Sequence, residues 1–249
     1  MLMFGARALL ALAAPLLLTG CLLTPGKFAS TLRINADRSF DFAYKGEVIA
    51  MDPGKDLKQG MTEGADEDGA DGDGEQGAAV ETPIAWAADH AKNVDKQPAA
   101  PAESEDDERK YRAMAEALSR EQGYRSVEYV GQGKFLIDYA ISGRLDRSFV
   151  YPYNIDAEII FPFIAIEVRN NNTVRVKAPA FGKESSDDAV PGRSEAASQL
   201  DGSFTLDTDA EIVSQNNEDG ATENGARRVI RWTATPLSKS APMAVLRFR

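Results

Sequence analysis

A charge boundary limits what this chain can fold into more than any other feature. Between Asp52 and Asp106 lie fifteen of the 39 acidic residues but only four of the 28 basic ones, so this segment carries the whole formal charge of -11. The other 24 acids and 24 bases balance. The middle of the segment, Asp66 to Glu75, holds no apolar residue larger than Ala. Such a stretch cannot bury enough surface to offset the entropy of ordering it. Residues 52–106 are therefore expected to form a long disordered acidic insert. Within it, Thr82-Pro83 followed by Ile84, Ala87, Ala88, Ala91 and Val94 predicts one short helix. The core must then be assembled from two separated pieces, 28–51 and 107–249.

Both pieces read mainly as strands. Phe28, Ser30, Leu32 and Ile34 alternate with Ala29, Thr31, Arg33 and Asn35, the two-residue period of a half-buried strand. Asn35 to Arg38 has turn composition, and Phe40, Phe42 and Tyr44 resume the alternation, so a hairpin is expected. Further strands are predicted at 127–130 and at Phe135, Ile137, Tyr139 and Ile141, with Gly131-Gln132-Gly133 as the turn between them. Residues 159–166 are apolar throughout, as in a strand covered on both faces. The Asn170–Asn172 turn links them to 173–177. Residues 183–200 read as loop. One strand is expected through Phe204, Leu206 and Ile212, a polar loop over 215–226, and strands at 229–235 and 243–248.

One helix stands out. Ser104 with Asp107 is placed to cap it, Tyr111, Met114, Ala115 and Leu118 form one apolar stripe, and Glu108/Arg112 and Glu116/Arg120 fall four apart on the wet face. Gly123 is the expected C-terminal cap. The fold class is thus α+β: an antiparallel, strand-dominated sheet with one main helix, in a single domain interrupted by the insert.

The N-terminus reads as an address rather than as structure. Met1 to Arg7 carries one positive charge, and Ala8 to Leu18 is an apolar run too short to span a ~30 Å hydrocarbon layer. Leu18-Thr19-Gly20-Cys21 follows, with the chain's single Cys. This resembles the lipobox of bacterial lipoproteins. The resemblance implies removal of residues 1–20, acylation of Cys21 and a mature chain tethered to a membrane of the cell envelope. Leu22 rather than Asp follows the Cys, which implies the periplasmic face of the outer membrane. Residues 21–27 are expected to be a short tether holding the domain near the bilayer. More weakly, the layout of lipidated Cys, spacer, early hairpin, helix and strands resembles the LppM-type lipoprotein domain.

Little in the chain suggests reaction chemistry. The sole His, His90, lies in the acidic insert, where no rigid frame holds it as a base. Asp71, Asp73 and Glu75 imitate the start of a calcium loop, but Gln76 stands where that loop needs Gly, and Thr82 where it needs an acid. Gly131-Gln132-Gly133 precedes no helix, so it is not a phosphate cradle. Asp138, Asp156 and Glu158 sit near strand ends, with nothing to show that any two meet. No catalytic residue, metal site or cofactor is expected, and the acidic balance argues against a nucleic-acid partner.

The sequence reading is a membrane-anchored envelope lipoprotein that serves as a binding or interaction module rather than as an enzyme. A structural lipoprotein without a ligand is the alternative, and a carboxylate-based enzyme comes third. Expected partners are the membrane, through Cys21, and either an amphiphile or an envelope protein. An amphiphile would lie between the helix and the sheet, lined by Tyr111, Phe135, Ile137, Tyr139, Phe161 and Phe163, with Tyr111 and Tyr139 able to orient a polar head. The same residues could equally be core.

Overall fold

The computed structural model describes residues 22–51, 104–152, 162–182 and 198–248. The N-terminal signal, Cys21, most of the acidic insert, Phe161, Asp156 and Glu158 lie outside the described residues.

Two sheets face each other. The first holds seven strands: β1 (Leu22–Ile34), β2 (Ser39–Met51), β3 (Tyr124–Gly131), β4 (Lys134–Arg144), β8 (Asp201–Thr208), β10 (Thr222–Asn224) and β11 (Arg227–Ala234). Their order is β10-β11-β8-β1-β2-β4-β3. The second holds β5 (Phe149–Tyr151), β6 (Ile164–Arg169), β7 (Thr173–Lys177), β12 (Met243–Arg247) and β9 (Glu211–Gln215), in the order β5-β6-β7-β12-β9. Pairing is antiparallel except between β1 and β8, which run parallel with Ser30 opposite Phe204 and Ile34 opposite Thr208. The mostly antiparallel, strand-dominated architecture with one α-helix matches the expected class in outline, but the strands form two sheets rather than one.

Alternation decides which side of each strand is buried. Leu32, Ile34, Phe40, Phe42, Tyr44, Phe135, Ile137, Tyr139, Phe204, Leu206 and Ile230 point inward from the first sheet. They meet Tyr151, Ile164, Ile166, Val174, Val176, Ala244 and Leu246 of the second. Aromatic rings bridge the layers. Phe42 and Tyr44 of β2 lie 5.1 and 5.5 Å from Tyr151. Phe181 stacks on Phe28 at 4.2 Å and reaches Phe204 at 5.9 Å, which in turn stacks on Trp232 at 5.5 Å.

Helix α1 spans Glu105–Leu118. Ser104 caps it, its Oγ accepting from the Asp107 amide at 3.3 Å. Both expected pairs on the wet face form, Arg112 with Glu108 at 3.1 Å and Arg120 with Glu116. The helix ends at Ser119, not at Gly123, and Gly123 instead turns the chain into β3 with φ 96°. It covers the part of the inner face that the shorter second sheet leaves open. Tyr111 meets Phe135 edge-on at 5.9 Å and Tyr129 at 5.6 Å.

Several sequence expectations need correction. Of the short tether expected over 21–27, residues 22–27 are strand: β1 begins at Leu22, and Leu22 to Pro25 pair with Met51 to Val48. Thr24 stabilises this extension by donating its hydroxyl to the Ile49 carbonyl at 3.4 Å. A bulge follows between Pro25 and Phe28. There the backbone crosses so close to Gly46 that a Cβ would stand 2.3 Å from the Lys27 carbonyl oxygen, so only Gly fits. Residues 159–161 of the strand expected over 159–166 lie outside the described residues; among those described, the strand begins at Ile164 and runs to Arg169, with alternating rather than two-sided burial. Phe204, Leu206 and Ile212 fall on two strands in different sheets. The chain changes layer at a corner where Thr208 Oγ1 accepts from the Ala210 amide at 3.0 Å. Finally, the polar loop 215–226 contains β10.

Candidate functional site

Of the side chains expected to line an amphiphile pocket, Phe161 lies outside the described residues and the other five are brought together, but as packed core. Phe135 and Phe163 are fully buried, and Tyr111, Ile137 and Tyr139 nearly so. Met114 and Leu118 of α1, Leu23 of β1, Val48 of β2, Tyr124 and Tyr151 fill the seam between helix and sheets. They leave a cavity of about 10 Å³, room for one water and not for an acyl chain. Among the described residues, no three His, Cys, Asp or Glu side chains converge as metal ligands. Asp138 lies on the surface between Lys45, at 3.8 Å, and Arg125, at 4.0 Å.

Four tyrosines crowd the inner seam. Tyr139 and Tyr151 are 4.4 Å apart, Tyr124 and Tyr139 4.9 Å, and Tyr44 and Tyr151 5.5 Å. Tyr44 donates to the Glu47 carbonyl at 2.7 Å. Burial is the main cause that pushes the hydroxyl pKa of Tyr44, Tyr124, Tyr139 and Tyr151 above the usual tyrosine value. The Glu47 carboxylate adds to it at Tyr44, and neighbouring phenols add to it at Tyr124 and Tyr151. The cluster is a neutral core element.

A larger concavity lies on the opposite, outer face of the seven-stranded sheet, with a volume of about 490 Å³. Strand register builds it. Thr205, Thr31, Ala43 and Ala140 stand opposite one another on β8, β1, β2 and β4, one row across four strands. All four are small, so this row forms a low floor. The next row, toward the β1–β2 turn, reads Val229, Asp207, Arg33, Asp41 and Ser142. It forms a polar wall fixed by its own contacts. Arg33 Nε donates to Asp207 Oδ2 at 3.1 Å, Arg227 Nε donates to Asp207 Oδ1 at 2.5 Å, and Ser142 Oγ donates to Asp41 Oδ1 at 2.6 Å. Arg125 of β3 closes the far side. The groove is shallow, open and half polar, and it offers recognition groups rather than reactive ones. None of its residues is singled out by sequence reading, because small or charged outward positions of a strand look like ordinary wet face until the register aligns them.

No protein-family profile matches the chain, and no curated protein matches it. Among solved structures, it is similar to the NMR structure of the folded domain of the Mycobacterium tuberculosis LppM protein. That match has 14% sequence identity, covers 90% of this chain and 91% of that chain, and has a TM-score of 0.32. No helix among the described residues is long and apolar enough to cross a membrane.

Proposed function

We propose that this is a cell-envelope lipoprotein, anchored through Cys21 on the periplasmic face of the outer membrane, whose domain is a binding module rather than an enzyme. The anchor half of this reading rests on the signal-like N-terminus and Leu18-Thr19-Gly20-Cys21. The binding half rests on one observation, the 490 Å³ groove with its small-residue floor and its pre-set Arg33/Asp207/Asp41 wall. A fixed array of donors and acceptors beside an open floor suits an extended polar partner, such as a loop of another envelope protein. An amphiphile under α1 fits less well, because that space is filled and α1 would have to lift away.

The test is photo-crosslinking in cells. A photoreactive residue replacing Thr205 or Ala43 should give a discrete adduct, and one replacing Lys177, on the outer face of the other sheet, should give none. In the same cells Cys21→Ser should move the protein from the membrane to the soluble fraction. Equal labelling from both faces would favour a structural lipoprotein without a ligand. Membrane retention of the Cys21→Ser variant would remove the anchor.

A further inference from the structure

We infer that one corner of the seven-stranded sheet is a bilayer-contacting surface, and that it sets how the whole domain stands on the membrane. This inference rests on the anchor reading for Cys21 and goes beyond it by assigning an orientation and the residues that touch lipid.

The first observation is the missing spacer. Leu22, next in sequence to Cys21, is already paired with Met51 at the start of β1. A lipidated Cys21 would therefore be held one residue, about 3.5 Å of chain, from the sheet. Whatever surrounds Leu22 in space must then lie at the lipid headgroups. Register identifies these neighbours. Ile49 stands opposite Lys134, and Lys134 opposite Gly131. The β3–β4 turn, Gly131-Gln132-Gly133, therefore sits at the same corner, locked there by the Ala50 amide donating to the Gly133 carbonyl at 2.8 Å.

The second observation is independent of the cysteine. Among the described residues only five large apolar side chains are notably exposed, and two of them, Val130 at 46% and Leu136 at 41%, flank this one turn. Leu136 faces Glu128 across the hairpin, and Val130 sits at the irregularity between Tyr129 and Gly131 that leads into the turn. The turn is packed on Ala50 at Gly133 but opens to space at Gly131, where a Cβ would meet nothing within 4 Å. Lys134 lies at the same edge, its ammonium 3.5 Å from Glu47, so the pair adds little net charge there. An apolar-flanked turn whose one Lys is neutralised by Glu47, beside an anchored strand, fits the headgroup and upper acyl region of a bilayer.

The opposite end then points away from the membrane. The β1–β2 turn and the Asn170–Asn172 turn share that end, linked by Arg38 donating to Asn172 Oδ1 at 2.7 Å. Thr31, on the groove floor, is ten residues from Cys21, about 30 Å at strand rise.

The test uses full-length protein reconstituted in phosphatidylethanolamine–phosphatidylglycerol vesicles. Acylation consumes the only native thiol, so a Cys introduced at another position is the only one to take a thiol-reactive environment-sensitive dye. Dyes at Val130→Cys and, as a second variant, Gln132→Cys should be quenched by nitroxide-headgroup lipid and shielded from iodide. A dye at Asn171→Cys should behave in the reverse way. If all three positions respond alike to iodide, the orientation is overturned while the anchor stands. If the parent protein itself takes up dye at Cys21, the anchor reading fails, and the orientation with it.

Discussion

At the level of single residues, the tyrosine cluster ties stability to alkaline pH. A phenol whose pKa is raised by folding stays protonated in the native state, while the unfolded chain begins to lose its proton near pH 10. Below that pH the stabilisation is fully present. Above it the unfolded state binds fewer protons, so unfolding free energy falls by about 1.4 kcal/mol per pH unit for each such group. Tyr44, Tyr124 and Tyr151 all titrate above the usual value, chiefly through burial. Equilibrium denaturation between pH 9 and 11.5 should therefore show stability falling steeply above about pH 10, and Tyr44→Phe should flatten the slope. A slope that is unchanged in this variant would show that the Tyr44 hydroxyl is not shielded as described. Tyr44 is legible in the sequence as an inward residue of an alternating strand. That it meets Tyr151, from a strand more than a hundred residues on, is not, because ring contacts across two layers leave no local periodicity.

Among the elements, the helix follows local rules most closely. Its cap, its apolar stripe and its two i,i+4 pairs are all written within the seventeen residues 104–120, and all appear in the structure. Its end is misjudged because Gly123 serves the entry to β3, which depends on the sheet. Because Ser104 meets the Asp107 amide through its side chain, Ser104→Ala should cost about 1 kcal/mol. For a domain of this size that lowers Tm by roughly 2–4 °C, with faster amide exchange over the first helical turn. Unchanged Tm and exchange would mean that the first turn is already frayed. The strands are a mixed case. Phe40/Phe42/Tyr44 and Phe135/Ile137/Tyr139 announce themselves by alternation. The first four residues of β1 do not, because Thr24-Pro25-Gly26 looks like a spacer and becomes strand only by pairing with the end of β2. The groove is hidden for the same reason, since its floor needs the register of four strands.

For the whole molecule, the long acidic segment leaves and re-enters at one end of the structure. Met51 is at the Leu22 corner. Tyr111 packs beside Tyr129, near the β3–β4 turn, and Leu118 lines the seam with Tyr124, so Ser104 lies about 10 Å beyond Tyr111 toward that same corner. A short bridge can therefore replace the segment. Substituting about ten Gly and Ser residues, which span roughly 17 Å, for 56–103 should preserve a single cooperative thermal transition. Shorter loop closure should add about 1 kcal/mol to stability. Loss of cooperativity would show that the segment is part of the folded unit.

The parallel pairing of β1 with β8 has a consequence in time. Residues 27–34 reach their partner only when residues 201–208 arrive, so the centre of the main sheet closes through a contact spanning most of the chain. Contacts of that separation form late. A chain made from its N-terminus completes the β1–β2 hairpin early, yet one edge of β1 stays open until the last quarter is made. Until then the polypeptide cannot lock into its final shape, and one strand edge at the centre of the main sheet stays bare.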